Sequence, residues 1–296
     1  MNRLRTIRLV ALFDLYESLR SRKAIALFLL YALVALGFSA IFITVFNRAF
    51  RELNAELGTE GVATFLESEK LVDAVAENLF DNDKDLAREL LSTPPLALSY
   101  LWLATTFIPL VVVLTSADAI SSAVHTGSIR FVLFRADRID WVLGKLLGQT
   151  FLMVVGILIG AAATFLLGVA MLDTMEVGRT GWWLLVMTGR ASFYGFAYLG
   201  VALCASQLVR GPWAARGIAF GLLFLLWVIG GILGSDWAAE AAPKFSNAAH
   251  QIFPNAHSLD LYRPDFGSRG VAMAALLLIG GCWFGLGMLR FRARDA

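Results

Sequence analysis

The side chains that could do chemistry are few and widely separated. The three histidines are His125, His250 and His257, and both cysteines lie inside long apolar runs. A zinc protease needs two histidines and a glutamate at close helical spacing, and an intramembrane serine protease needs a histidine at membrane depth. Neither pattern occurs. His250 and His257 with Asp260 form a weak metal-binding pattern, so we expect a structural or solvated role there and no metal site.

A second candidate for chemistry is the Gly144-Lys145 pair, which resembles the end of a phosphate-binding loop. That loop has the form G-x-x-x-x-G-K-[ST], in which backbone amides wrap the phosphates and the hydroxyl binds magnesium. Here Ile139 stands in place of the first glycine and Leu146 in place of the hydroxyl residue. We therefore expect no ATP hydrolysis by this chain and no cofactor bound to it.

The composition instead indicates a membrane protein. Hydrophobic residues make up 58% of the 296 residues and charged residues 16%, whereas soluble domains are about 45 to 50% apolar. A net charge of +2 is too small to indicate nucleic-acid binding. A membrane-spanning helix needs about 20 apolar residues. We predict an all-α integral membrane protein with six transmembrane helices, at about 24-46, 96-117, 146-171, 182-208, 217-235 and 270-289.

The charges between these segments predict the orientation, because arginine and lysine concentrate on the cytoplasmic side. The N-terminus, the C-terminal tail and the second and fourth connections hold 15 basic residues, against 9 in the other three connections. The first connection, 47-96, has 11 acidic residues and 5 basic ones. We therefore expect both termini to be cytoplasmic.

The chain is predicted to divide into an amphipathic interfacial helix, 1-23, and a six-span membrane domain, 24-296. Within the latter we expect an outer loop of two or three short helices over 47-95, ended by Pro94 and Pro95, and an irregular outer cap over 236-269. Anchoring to lipid headgroups and docking of a partner are equally good roles for the first helix. Its apolar face would contain Leu4, Ile7, Ala11, Leu15 and Leu19.

The 118-145 connection has the most informative pattern. It begins with helix-compatible apolar positions among basic residues and then has a charged turn. A short amphipathic helix beside a membrane bundle is typical of a docking element, and the alternative is a solvated loop that happens to be helical. The apolar positions are Ile120, Val124, Ile129, Val132 and Leu133.

The same connection contains an Ile-Ser pair at 120-121, a Gly-Ser pair at 127-128 and a Gly-Lys pair at 144-145 that follows Arg138. This order resembles the signature of ABC-2 type ABC transporter permeases. In place of the usual glutamate stands Ala123, and no proline precedes Arg138. Residues 17-22 are similar to the interfacial helix of that family. The matching positions are Ile120, Ser121, Gly127, Ser128 in place of threonine, Leu133, Arg138 and Gly144-Lys145, and, in the first helix, Glu17, Leu19, Arg20, Ser21 and Arg22.

The resemblance implies the membrane-spanning subunit of an ATP-driven exporter in the cytoplasmic membrane. The partners would be ABC ATPase subunits, which bind ATP and magnesium, a second permease copy or homologue, and membrane lipid. Residues of about 119-135 would form the coupling helix that contacts the ATPase. A membrane scaffold that docks an ATPase without moving solute is the alternative, and a gradient-driven transporter comes third. The implied docking residues are Ile120, Ser121, Val124, His125, Gly127, Ser128, Arg130, Leu133 and Arg138, and the interfacial ones are Glu17, Arg20 and Arg22.

Inside the spans the sequence offers one ionisable residue, Arg190. It would line a possible substrate path, or else reach the headgroups or bond backbone carbonyls near Trp182 and Trp183. All 23 acidic residues fall at termini, loops or span edges, so we expect no buried carboxylate for a proton relay.

Glycines spaced four residues apart predict close helix contacts within one protomer. The last pair of the fifth span could instead serve a dimer seam or a hinge. The pairs are Gly156/Gly160, Gly217/Gly221, Gly230/Gly234 and Gly281/Gly285.

Overall fold

A computed structural model describes most of the chain as α-helix, with no strand among the described residues. The described residues are 3–66, 73, 84–134, 136–172, 175–235, 237, 240, 242–263 and 265–293. In chain order the helices are α1 (Arg3–Arg20), α2 (Arg22–Leu66), α3 (Lys84–Ser92), α4 (Pro95–Ser116), α5 (Ser121–His125), α6 (Ser128–Leu133), α7 (Arg138–Met171), α8 (Val177–Leu208), α9 (Pro212–Leu233), α10 (Pro243–His250) and α11 (Phe266–Arg292).

Six of these helices, α2, α4, α7, α8, α9 and α11, are long and apolar enough to cross a membrane. The predicted all-α architecture with six spans is thereby confirmed. Several helices begin before the apolar run does: α7 begins at Arg138 rather than near 146, and α8 at Val177 rather than near 182. The reason is that backbone hydrogen bonding extends a helix through polar first turns, which hydropathy alone does not detect.

Helix α8 forms the centre of the bundle and packs against α11, α4, α7 and α9. In its most apolar stretch 78% of the residues are buried, compared with 17% in α9 and 22% in α2. The latter two therefore lie at the periphery. The largest fully buried side chains of α8 are Met187, Tyr198, Leu199 and Leu203.

The contact between α8 and α11 depends on three glycines. A Cβ atom on Gly200 would lie 2.0 Å from the carbonyl oxygen of Gly280, and one on Gly280 would lie 2.6 Å from the carbonyl oxygen of Phe196. One turn further along α8, a Cβ on Gly287 would lie 2.8 Å from the Cα of Cys204. The two backbones touch directly, which no residue larger than glycine permits.

The predicted glycine pairs have mixed outcomes. Gly156 and Gly160 do pack within the protomer, against the rings of Phe28 and Tyr31 on α2. Four other glycines of these pairs, two on α9 and two on α11, have open space beside them in the described part of the chain. No neighbouring helix packs against those faces of α9 and α11 there. The predicted close contact within the protomer is wrong for these four glycines. They are Gly217, Gly221, Gly281 and Gly285.

The long connection after the first span is partly a continuation of that span. Helix α2 runs to Leu66 with a break at Gly58, whose φ of 71° is left-handed and therefore suits glycine. After α3, Pro94 precedes α4 and Pro95 occupies its first turn, as the sequence predicts. The predicted outer loop also includes residues 67–72 and 74–83, which lie outside the described residues.

A cap closes one end of the bundle. It consists of α10 and two 3₁₀ turns, Pro254–His257 and Leu259–Tyr262. Gly230 and Gly234 lie under it, since Cβ atoms there would come within 3.2 Å of the Asn255 amide nitrogen and 2.9 Å of the His250 ring. This pair accommodates the cap, and its use as a hinge or a dimer seam stays a prediction.

Candidate functional site

Two short helices, α5 and α6, join the second and third spans at the end of the bundle opposite the cap. They form, with the turn that precedes them, the segment 118–134, called here the docking segment. Gly127 separates the helices with a φ of 71°, in the left-handed region that a side chain with a Cβ adopts only at a cost of about 1–2 kcal/mol. The glycine of the signature is therefore required by the backbone.

The inner side of the docking segment is fixed to α8. The backbone amides of Ile120 and Ser121 both donate to Oγ of Ser206, at 3.0 Å each. Ile120 and Ser121 are completely buried. Both were predicted to touch the partner, and this placement corrects that prediction: their side chains pack into the bundle core, so they support the segment from beneath.

The outer side presents basic and aromatic groups. His125, Ser128 and Arg130 are exposed, and Phe131 and Phe134 are 79% and 85% exposed. Such large apolar side chains on a short charged helix indicate a surface that another molecule covers. The two phenylalanines were missed from the sequence, although their three-residue spacing places Phe131 of α6 and Phe134, which caps that helix, on one side.

The remaining docking candidates are spread around this surface. Val124 is half-buried against the core, and Arg138 is half-buried where α7 begins. Leu133 ends α6, but its side chain lies outside the described set, as does Arg135. Of the predicted docking residues, His125, Ser128 and Arg130 are thus exposed.

A mutation separates the backbone role of Gly127 from packing. Alanine would meet no atom within 4 Å there, so Gly127→Ala should lower the stability of the α5–α6 junction by about 1–2 kcal/mol through φ alone. Faster proteolysis within 118–134, with an unchanged unfolding midpoint of the bundle, is the expected result. Gly37→Ala, at an equally open helical position of α2, is the matched control. Equal proteolysis of both variants would contradict the assigned strain.

Asp118 links the docking segment to two spans. One carboxylate oxygen accepts from Nζ of Lys23 at the start of α2, at 2.8 Å. The other pairs with the guanidinium of Arg216 near the start of α9. Because the Asp118 side chain is only 16% exposed, water screens these pairs less than it screens surface pairs. A displacement of the docking segment would therefore act directly on α2 and α9 through these two ion pairs.

A buried polar chain crosses the same end of the bundle. Asp14 of α1 forms an ion pair with Lys145 of α7, and its other oxygen accepts from Nε2 of Gln149 at 2.7 Å. Gln149 in turn accepts from Oγ of Ser116 on α4, at 2.9 Å. The Asp14 side chain is 4% exposed, so the expectation that no carboxylate is buried is wrong. The cause is tertiary: α1 folds against α7, which the sequence alone does not reveal.

The Gly144-Lys145 pair thereby has a structural explanation. A Cβ on Gly144 would lie 2.6 Å from Val10, and one on Gly148 would lie 2.8 Å from the Asp14 carboxylate. The glycines let α1 approach α7, and the lysine neutralises the carboxylate that α1 brings.

Helix α1 therefore has a different packed face from the predicted one. Thr6, Val10 and Asp14 point towards α7, whereas Leu4 and Leu19 are exposed, so the predicted apolar face is only partly correct. Glu17, Arg20 and Arg22 are exposed as well. A second apolar set faces outwards on α1, namely Leu9, Leu12, Phe13 and Tyr16.

Arg190 of α8 binds the cap. Its Nη1 donates to the carbonyl oxygen of Leu261 at 2.9 Å, and its guanidinium lies 5.9 Å from the centre of the Trp183 ring. It is 3% exposed. The predicted alternative of bonding to a backbone carbonyl is confirmed, and the substrate-path alternative is not supported by this placement.

The cap histidines likewise make internal contacts. Nε2 of His257 is 2.9 Å from the carbonyl oxygen of Gln251. Burial, with a contribution from His257, holds the pKa of His250 below its usual value. Among the described residues, no cluster of three or more metal-ligating side chains occurs.

Comparison with known proteins agrees with this architecture. The family model described as ABC-2 family transporter protein matches residues 8–296, and the chain belongs to that family of multi-pass membrane transporter subunits. A relative from Stutzerimonas stutzeri, described as "Probable ABC transporter permease protein NosY", is 25% identical over 192 residues, which are 63% of this chain and 70% of the relative.

Proposed function

We propose that this chain is the membrane-spanning permease of an ATP-driven exporter in the cytoplasmic membrane of a bacterium, with both termini in the cytoplasm. Separate ATPase subunits hydrolyse ATP and bind its magnesium, and a second permease copy or homologue completes the transport path between the two permeases. The single observation that carries the proposal is the docking segment, whose inner face is anchored to the bundle while its outer face exposes Phe131, Phe134 and Arg130.

The docking segment has the properties that force transmission requires. A partner that grips the exposed phenylalanines would move a short rigid element rather than a loop, because Ser206 holds its backbone amides. Asp118 would pass that movement to α2 and α9 through its two ion pairs. Family membership supports an ATPase as the partner.

The test is association of purified variants with the ATPase subunit that co-purifies with the wild-type chain. Phe131→Ala, Phe134→Ala and Arg130→Glu should each weaken binding by about tenfold or more, because aromatic and arginine residues dominate interface energies and tenfold is about 1.4 kcal/mol. Phe266→Ala, which removes an 81% exposed phenylalanine at the cap end of α11, should leave binding unchanged. Unaltered binding in all three docking variants would overturn the assignment of this surface.

A further inference from the structure

A large cavity lies among α4, α8, α9 and the cap, away from the docking segment. Its volume is about 900 Å³, near the top of the range of about 300–1,000 Å³ that accommodates drug-sized ligands. Among the described side chains that line it, none is charged, and Arg190 is not one of them. The cavity is therefore suited to an uncharged molecule of considerable size.

The polar part of the cavity is a cluster of two phenols and one carboxamide. Oδ1 of Asn255 accepts from the hydroxyl of Tyr198 at 2.7 Å and from that of Tyr194 at 3.2 Å, and the two phenol oxygens are 3.2 Å apart. The Asn255 amide nitrogen has no hydrogen-bond partner in the described parts of the chain. This cluster can thus offer a ligand both an N–H donor and phenol oxygens as acceptors.

The rest of the wall is apolar and aromatic, and part of it reaches the outer surface of the bundle. Trp102 on α4 is 53% exposed and Trp227 on α9 is 66% exposed, and both line the cavity. Both helices are long and apolar enough to span the membrane, and the cavity opens on the side of the bundle between these two tryptophans. A ligand could enter between α4 and α9 from the lipid phase.

The phenol of Tyr262, on the wall formed by the cap, stays neutral at neutral pH. Burial raises the pKa of the Tyr262 phenol to about 12. An ionised headgroup would therefore meet no counter-charge among the described side chains of the cavity, which is unfavourable for a charge that leaves water.

We propose that this cavity binds an uncharged amphipathic lipid, with its hydroxyl-bearing head hydrogen-bonded to Asn255 and the two tyrosines and its acyl chain along the aromatic wall. Binding itself is independent of the proposed function. The view that such a lipid belongs to the exported class rests on that function.

Photolabelling of the full-length protein in lipid nanodiscs tests the proposal. The probes are a monoacylglycerol and a phosphatidylglycerol that carry the same photoactivatable acyl chain. We expect monoacylglycerol adducts on peptides of α4, α8 and α9, and at least about tenfold weaker labelling by the anionic probe.

Two matched variants make the test site-specific. Thr106, which lines the cavity, and Thr44 on α2 are both exposed and both donate to the carbonyl oxygen four residues earlier in their own helices, at 2.9 Å and 2.7 Å. Thr106→Trp should fill the cavity and reduce labelling about tenfold, and Thr44→Trp should leave it unchanged. Asn255→Leu should reduce it as well, because the donor is lost.

Three results would overturn the proposal. The first is equal labelling of the Thr106→Trp and Thr44→Trp proteins, and the second is equal labelling by the two probes. The third is that cysteines placed at positions 102 and 227 cross-link to a second copy of the chain while no lipid adduct forms between these helices. Co-purification of the ATPase is measured on the same preparations. A failed lipid site with intact ATPase binding would contradict only this inference, and the reverse outcome only the proposed function.

Discussion

Replacing Gly200 with alanine is expected to disrupt the packing of α8 against α11 and to lower the free energy of unfolding by more than about 3 kcal/mol, the usual upper range for overpacking. The added methyl group would lie 2.0 Å from a backbone oxygen of Gly280. A backbone, unlike a flexible side chain, cannot turn away, so the helices must separate over the whole contact. Thermal unfolding in detergent, followed by helicity and by monodispersity, measures the effect.

Gly189→Ala is the control for this prediction. Gly189 lies on the same helix, and a Cβ atom there meets nothing within 4 Å. Alanine should therefore be neutral or stabilise the helix by up to about 1 kcal/mol through its higher helix propensity. If the two alanine variants unfold at the same temperature, the α8–α11 contact is looser than described.

Neutralising one member of the Asp14–Lys145 pair should have the second large effect. Asp14→Asn leaves Lys145 buried without a counter-charge, and Lys145→Met does the same to Asp14. Breaking a buried pair from one side typically costs about 3–5 kcal/mol. We expect α1 to separate from α7, and trypsin to cleave at Arg5 and Arg8 at least tenfold faster than in the wild type, tenfold being about 1.4 kcal/mol.

The double variant Asp14→Leu/Lys145→Met separates charge from shape. It removes both charges and should recover most of the protease resistance, since an apolar pair of similar size is often as stable as a buried ion pair. Arg48→Met, which breaks the exposed Arg48–Glu52 pair, should change stability by less than about 1 kcal/mol. A double variant as sensitive as either single one would show that the ion pair is not what holds α1.

The membrane architecture was predictable because its signal is local. Each span is a continuous apolar run bounded by polar residues, and six such runs specify six helices. Their ends were less accurate, since the first turns of α7 and α8 contain charged or polar groups that hydropathy assigns to loops. The Gly127 turn was also identifiable, from the signature that contains it.

The supports of the candidate site were not predictable, because they join distant parts of the chain. Ser206 accepts a hydrogen bond from a residue 85 positions earlier in the sequence. Asp14 forms its ion pair with Lys145, which is 131 positions later. Nothing in the local pattern marks Ile120 and Ser121 as inward-facing. The glycine contact was likewise missed because Gly200 and Gly280 are single residues on two helices. Two of the four repeated pairs, Gly217/Gly221 and Gly281/Gly285, have open space beside them in the described part of the chain.

The position of α8 at the centre has a consequence for how the protein is made. This span is less apolar than the other five, and it carries Arg190. Partition of a segment into lipid during synthesis depends on its own hydropathy. The helix around which the others assemble is therefore the one that lipid accepts least readily alone, and its retention in the membrane relies on α4 and α7, which emerge from the ribosome before it.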